Sequence, residues 1–438
     1  MDVSTINRLL ATGTLDAPGL FPHLEALTDA AFVFRPDFGL DRLPDQPGLL
    51  VVRGARQYGK STWLEGQLRD TIARYGPGSA YYLNGDEIGT AEALVARVRE
   101  LVPLFSPKAA VRRLFVDEVT AVAGWADALK RLVDAGELRR VLVVTTGSKA
   151  TDLRRGSERL PGRRGTLDRT TWIFTPVSYA EFSRVCGDRL GADLLPAYLL
   201  TGGCPLACGE MAARGHLPEY VVTLARDWIL GEVAGGGRSR ASLLAVMGAL
   251  HRWGGTPVGQ AKLARETGLA NNTVAAGYLE LLADLLSVGI SHPLDASRGV
   301  RLVRRPAKFP FTNLLVAAAW APDRPRSVAD VRALEPSRAG TWLEWLVAEE
   351  LWRRAALRGD EAPELLDYWE GGGHELDFAP APEGFVEVKH GRTSPIEYAW
   401  FPRVFPKGRL TVIGRDRWEA EGMRGVTIED FLLGEPPP

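Results

Sequence analysis

The sequence predicts a multidomain α/β protein whose first part is built on a parallel sheet. Three observations carry this. The chain has 438 residues, and at about 100–200 residues per domain that length holds two to four domains. From Gly48 to about residue 183, short apolar runs at 49–53, 80–83, 114–117, 141–145 and 172–174 alternate with helical patterns. Continuous β-branched runs bounded by turn residues are the pattern of strands buried on both faces and joined by crossover helices. Finally, Gly54-Ala55-Arg56-Gln57-Tyr58-Gly59-Lys60-Ser61 fits G-x-x-x-x-G-K-[ST], between the first run and a helical segment.

The remaining segments follow in order. Residues 1–45 mix short helical patterns with Pro and Gly breaks, and 46–185 form the α/β core. Residues 186–238 read as helices ending at Gly235-Gly236-Gly237, a flexible joint, and 239–308 as helices followed by a short hairpin. A Pro-containing connector spans 309–340, and 341–438 form a second α/β unit. Its first element, 341–351, reads as an amphipathic helix.

Composition narrows the function classes. Apolar residues make up 45% and charged residues 24%, as in ordinary globular proteins. Lys plus Arg total 53 and Asp plus Glu 54, for a net charge of −1. This excludes a protein basic throughout and leaves local nucleic-acid-binding patches open. Three cysteines make no disulfide framework, and the odd count fits a reducing compartment. Cys204 and Cys208 read as small core residues, since their C-x3-C spacing has no His partner. Met1-Asp2-Val3 does not open a signal peptide, and no run approaches the ~18 apolar residues of a membrane span. The expectation is a soluble cytoplasmic protein with no membrane partner.

The phosphate-binding pattern has a physical basis. Gly54 and Gly59 let the backbone curl so that successive N–H groups, from Ala55, Arg56, Gln57 and Tyr58 onward, face a phosphate. The helix that begins near Lys60, Ser61 and Thr62 adds its positive end. Lys60 would meet the β- and γ-phosphates of ATP, and Ser61 would bind Mg²⁺. About 60 residues on, Leu114-Phe115-Val116-Asp117-Glu118 is an apolar strand ending in two carboxylates. Asp117 would hold Mg²⁺ and Glu118 would polarise the attacking water. The strand at 141–146 ends at a polar tip where Thr146 and Ser148 are both candidates to sense the γ-phosphate. Arg154, Arg155, Arg159, Arg163 and Arg164 follow, and Arg163 is the candidate to reach a neighbouring subunit's phosphate.

Residues 258–283 place Ala264, Gly268 and Val274 at the offsets of a helix-turn-helix: a small contact residue, a tight turn and a β-branched filler. Asn271 or Asn272 would cap the second helix. The hairpin after it carries Arg298, Arg301, Arg304, Arg305 and Lys308, five charges suited to DNA phosphates. A module that only packs against a partner is the alternative.

In the last unit, 374–378 and 385–389 form two strands about Pro380-Ala381-Pro382-Glu383-Gly384. Glu387 and Lys389 are two apart and leave the same face, and Asp377 can converge from the neighbouring strand. With Glu344 from the preceding helix, these would make a Mg²⁺ site beside a cation. The D…E-x-K pattern resembles the PD-(D/E)XK core of restriction endonucleases, with Leu376 where that motif has Pro. An inactive fold that only holds DNA is the alternative.

The segments RGARQYGKS, LFVDEV, TTGSKATDLRRGSERLPGRR and TPVSYAEF together resemble the bacterial and archaeal AAA-type ATPases that carry an endonuclease-like C-terminal domain. The resemblance implies an AAA-type P-loop parallel-sheet ATPase core with a helical lid, a winged helix-turn-helix and a restriction-endonuclease-like α/β domain. It also implies self-association, with a hexameric ring as one form. The expected function is ATP-driven binding and processing of duplex, branched or single-stranded DNA. A nucleotide-dependent oligomeric switch or scaffold with an inert C-terminal domain is the alternative from another class.

Overall fold

The computed structural model describes residues 1–147, 153, 156 and 165–434. They divide into two compact units, Met1–Thr175 and Pro176–Pro438.

In the first unit the apolar runs become β1 (Gly48–Arg53), β2 (Ala80–Asn84), β3 (Arg113–Asp117), β4 (Leu142–Gly147) and β5 (Thr171–Ile173). They form one sheet in the order β2-β3-β4-β1-β5, and every pairing is parallel. Successive residues such as Leu49, Leu50, Val51 and Val52 are all buried, because helices cover both faces of the sheet. Helices Ala91–Leu101 and Trp125–Asp134 pack Leu94, Val98, Leu129 and Leu132 against Leu49, Val51, Leu83, Leu114, Val116 and Val143. Helix Lys60–Tyr75 packs along β2, β3 and β4. The order has one consequence for the site: β4 lies between β1 and β3, so the ends of all three strands meet at one edge.

The second unit opens with helices Tyr179–Leu190, Leu194–Thr201, Pro205–Arg214 and Glu219–Gly235. Cys186, Cys204 and Cys208 are buried in this unit. Helices Arg240–Trp253, Gln260–Glu266 and Asn272–Asp284 follow, then a hairpin of β6 (Ile290–Asp295) and β7 (Val300–Arg301). Gly268 takes φ +66° at the turn between the second and third of these helices, a conformation that glycine adopts without strain. Ala264 is buried as expected, but Val274 is 38% exposed, and Ala275 and Tyr278 face inward instead. The inward face of this helix runs through Ala275, Tyr278, Leu279 and Leu282, and Val274 lies just off it.

The stretch 309–340 is more than a connector: it holds helix Leu314–Trp320, buried at every residue. The helix predicted at 341–351 runs from Pro336 to Arg358 and is enclosed on most sides, so it is a buried helix and not an amphipathic one. The C-terminal strands are β8 (Leu365–Gly371), β9 (His374–Leu376), β10 (Phe378–Ala381), β11 (Gly384–Val388), β12 (Arg409–Gly414), β13 (Trp418–Ala420) and β14 (Met423–Thr427). They build two mixed sheets, β7-β6-β8-β9 and β10-β11-β12-β14-β13. The basic hairpin is therefore part of a sheet shared with the C-terminal strands: β6 pairs in parallel with β8 from Ile290↔Leu365 to Pro293↔Tyr368. Among the described residues, no helix is long and apolar enough to cross a membrane.

Candidate functional site

The loop after β1 and the start of helix Lys60–Tyr75 make the phosphate cradle. Gly59 caps the helix at φ +94° and Gln57 takes φ +62°, which turns the chain sharply. A Cβ on Gly54 would meet the Phe174 Cβ at 2.8 Å and the Phe174 oxygen at 2.9 Å, so glycine is required there by close approach. Arg56 and Gln57 are exposed at the loop tip, while Ser61 and Thr62 are half-buried in the first helical turn. Lys60 is buried and folds back on its own loop, where its Nζ donates to the Gly54 oxygen at 3.0 Å and the Ala55 oxygen at 2.8 Å. Burial lowers its pKa to about 8, against the opposing pull of Glu118 and Asp117.

Across the strand ends, Thr146 on β4 donates its hydroxyl to Asp117 Oδ1 on β3. The Glu118 backbone N–H donates to the same Asp117 oxygen at 3.0 Å and to Thr146 Oγ1 at 3.4 Å. Glu118 itself sits at φ +45°, a left-handed conformation that costs a non-glycine residue on the order of 1 kcal/mol. The structure thus brings Lys60, Asp117, Glu118 and Thr146 to one edge of the sheet. Ser148 and Arg163 lie outside the described residues.

Two features of this site escape a linear reading. An added Cβ on Gly85, just past β2, would overlap the Glu118 carbonyl. Gly85→Ala is expected to push the Asp117–Glu118 turn outward and to cost about 1–3 kcal/mol of stability, as overpacking does. Denaturant melts and ATPase rates compared at equal folded fraction check this; unchanged values for both would exclude it. The segment before residue 46 is also built into this unit. The His23 and Leu24 N–H groups donate to Glu65 Oε2 at 3.0 Å each, and His23 Nδ1 lies 2.6 Å from Glu65 Oε1. Phe38 packs on Trp63 and Phe174, with ring centroids 5.3 and 4.6 Å away.

The C-terminal carboxylates also converge. Asp377 stands where the chain passes from β9 to β10 and changes sheet. Its Oδ2 accepts from the Val388 N–H at 2.9 Å, and its own N–H donates to Glu387 Oε2 at 3.3 Å. Lys389 Nζ lies 2.5 Å from Glu387 Oε1. Burial first, then Asp377, raises the Glu387 carboxyl above the usual carboxylate range. Glu344 is raised for the same two reasons.

A fifth partner is unexpected. Lys308, predicted to face DNA phosphates, is 2% exposed and points into this cluster. Its Nζ lies 2.6 Å from Glu375, 3.2 Å from Asp377 and 3.6 Å from Glu344. Among the described residues no group of three or more His, Cys, Asp or Glu side chains is arranged to hold a metal ion. Mg²⁺ does not fit this centre as it stands, because the Lys308 ammonium already sits among its carboxylates.

The helix-turn-helix residues have mixed fates. Asn271 is the cap, accepting from the Val274 N–H at 2.9 Å, which leaves Asn272 exposed on the first turn. Arg301 is tied to Asp367 at 2.6 Å and to the Leu365 oxygen at 3.2 Å. Among the described residues, the Arg298 and Arg305 side chains make long ion pairs, each 3.8 Å, to Asp295 and Glu370. Arg304 is exposed.

Elsewhere in the second unit, Glu349 is buried in helix Pro336–Arg358, with Oε2 accepting from the Leu314 N–H at 3.2 Å. Burial raises its pKa to about 8. The folded chain then keeps a proton that the unfolded chain releases above pH 4.5, so this group's contribution to stability is lost as pH rises from about 4.5 to 8. Glu349→Gln is expected to remove up to about 1.4 kcal/mol per pH unit of that slope. Urea midpoints measured from pH 6 to 8.5 check it: an unchanged slope would show that Glu349 is ionised in the fold.

Residues 46–183 match a family model described as an AAA domain. That span contains the parallel sheet and phosphate loop of a P-loop ATPase core. Among solved structures, the chain is similar to the Walker-type ATPase PABY2304 of Pyrococcus abyssi, with 15% identity over 70% of this chain and 96% of that one and a TM-score of 0.42. It is similar to the Aeropyrum pernix Orc1 protein in complex with DNA, with 14% identity over 72% of this chain and 96% of that one and a TM-score of 0.32. It is also similar to Thermotoga maritima RuvB, with 13% identity over 55% of this chain and 81% of that one and a TM-score of 0.30. No curated protein matches.

Proposed function

We propose that the chain binds and hydrolyses ATP and couples this to DNA. The observation that carries the first part is the meeting of Lys60, Asp117, Glu118 and Thr146 beside the glycine-bounded loop that follows β1. Lys60 would leave the Gly54 and Ala55 carbonyls for the β- and γ-phosphates. Thr146 holds Asp117 in one rotamer and is placed to sense the γ-phosphate through it. Glu118 would orient the attacking water as its general base. Ser61 and Asp117, a hydroxyl and a carboxylate next to the cradle, are the oxygen donor set that Mg²⁺ accepts. Bound there with the nucleotide, Mg²⁺ would neutralise phosphate charge. Self-assembly, with Arg163 meeting a neighbouring subunit's phosphate, belongs to the same proposal and is tested by mass in solution with and without ATP.

For DNA, Asn272, Arg298, Arg304 and Arg305 support contact at the helix-turn-helix and hairpin, since they are not committed to close internal ion pairs. Arg301 instead holds the hairpin to β8. Arg298→Ala and Arg304→Ala are each expected to weaken binding to any sequence and to lower the salt slope of log K by about 0.9. Fluorescence anisotropy with duplex and forked DNA from 50 to 200 mM salt measures this. No affinity at low salt would end the DNA assignment. A nucleotide-dependent switch with a non-cutting C-terminal domain is the second reading, and the Lys308 ammonium among the carboxylates favours it.

A further inference from the structure

The C-terminal centre holds four carboxylates, from Glu344, Glu375, Asp377 and Glu387, and two ammonium groups, from Lys308 and Lys389. Lys389 pairs with Glu387 at the sheet rim and is 47% exposed in its side chain. Lys308 is different: its side chain is 2% exposed and reaches three carboxylates within 3.6 Å. The backbone fixes this placement. Segment 307–311 bridges to three partners, Val258↔Ala307, Ser291↔Lys308 and Val288↔Phe311. The Lys308 N–H donates to the Ser291 oxygen at 2.9 Å, and the Ser291 N–H donates to the Lys308 oxygen at 2.8 Å. Ala307 is held by Val258 and Lys308 by Ser291, and this pairing fixes the face from which the Lys308 side chain leaves. Its ammonium also stands 5.3 Å from the Tyr368 ring centroid. Behind Glu344, glycine at 255 leaves room for the carboxylate, since a Cβ there would collide with it.

We propose that Lys308 is a built-in cation that takes the place of a divalent metal among Glu344, Glu375 and Asp377. The wild-type centre is thereby closed to metal, and removing the ammonium opens a divalent-cation site. Three carboxylates this close, two of them largely buried, would repel one another without a cation, and either an ammonium or a metal ion offsets that repulsion. The ammonium does so without exchange, and it supplies no labile position at which a water could be activated. The centre is then a carboxylate cluster whose repulsion an ammonium offsets, and not a hydrolytic one. It is joined through β6 and β8 to the basic hairpin.

The probe is Mn²⁺ alone, without nucleotide, titrated onto the full chain and followed by electron paramagnetic resonance of the free ion and by the shift in Tm. Wild type, Lys308→Met, Lys308→Met with Asp377→Asn, and Asp377→Asn alone are compared, each checked for folding by circular dichroism. Wild type and Asp377→Asn should take up the same Mn²⁺, so that none is assigned to this centre. Lys308→Met should bind one further ion per chain at least tenfold more tightly than any wild-type binding, with Tm rising on Mn²⁺ addition. The double variant should lose that ion. Wild-type binding that Asp377→Asn abolishes would overturn the proposal, as would a folded Lys308→Met that gains no site. Should Lys308→Met fail to fold, Lys308→Gln takes its place, and the wild-type comparison with Asp377→Asn still decides. Because no ATP or DNA is present, failure here is separate from failure of the ATPase or DNA assignment.

Discussion

Glu118→Gln is expected to slow ATP hydrolysis by about 10²–10³-fold while ATP still binds. The expectation rests on where the residue sits. Its backbone is fixed by N–H bonds to Asp117 and Thr146, in a left-handed conformation just past the end of β3. Replacing the carboxylate by an amide keeps size and hydrogen bonding but removes the base. Binding depends on the loop amides, Lys60 and Ser61, all of which the substitution leaves in place; it removes only one of the two carboxylates that pull on the Lys60 charge. Single-turnover hydrolysis and equilibrium binding of ATP, measured on the same preparation, separate the two effects. An equal loss in both would mean that Glu118 supports the fold of the loop and does not act on water. Thr146→Val should give a smaller loss of hydrolysis, because it frees Asp117 without removing either carboxylate.

Lys60→Ala is expected to reduce ATP affinity by on the order of 100-fold, since a charge-assisted contact to phosphate in a buried setting is worth about 2–4 kcal/mol. In the nucleotide-free chain Lys60 satisfies two backbone carbonyls, so its removal should change Tm little compared with its effect on binding. The lowered pKa, about 8, adds a pH signature. A polyanion beside Lys60 favours its charged form, so binding above pH 8 must take up a proton. Affinity should therefore fall as pH rises from 8 to 9.5 in the wild type, by up to about tenfold per unit, and should fall less in Lys60→Ala. A pH-independent wild-type affinity across that range would show that Lys60 stays fully charged in its buried loop.

What the sequence makes legible here follows from how local each signal is. The loop at 54–61 and the Asp117–Glu118 strand end are local patterns in a clear strand context, and the structure has both at one sheet edge. The place of Thr146 depends on strand order, because only a sheet with β4 between β1 and β3 brings its hydroxyl to Asp117. Gly85 is invisible in sequence, since its reason for being glycine is a carbonyl more than thirty residues away. The helix at 336–358 has polar residues at regular intervals, which suggests a solvated face. Glu349, Glu350 and Arg353 are buried all the same, and Glu350 pairs with Arg353 and Arg354. Lys308 shows the largest difference. A lysine in a basic hairpin suggests a phosphate contact, and nothing near it in sequence suggests otherwise. Its true partners come from 344, 375 and 377, and burying the charge is tolerable only because all three arrive together. Arg301 is a smaller case of the same kind, held by Asp367 through a strand pairing no local pattern encodes.

The most direct measurement is an equilibrium titration of the full chain with ATP by calorimetry, in the presence and absence of Mg²⁺, with ADP and GTP as competitors. The expected result is one saturable nucleotide site per chain, tighter with Mg²⁺, from which ADP competes. The absence of saturable binding up to millimolar ATP, or binding that persists unchanged in Lys60→Ala, would contradict the assignment of the β1 loop and the strand ends around it as a nucleotide site.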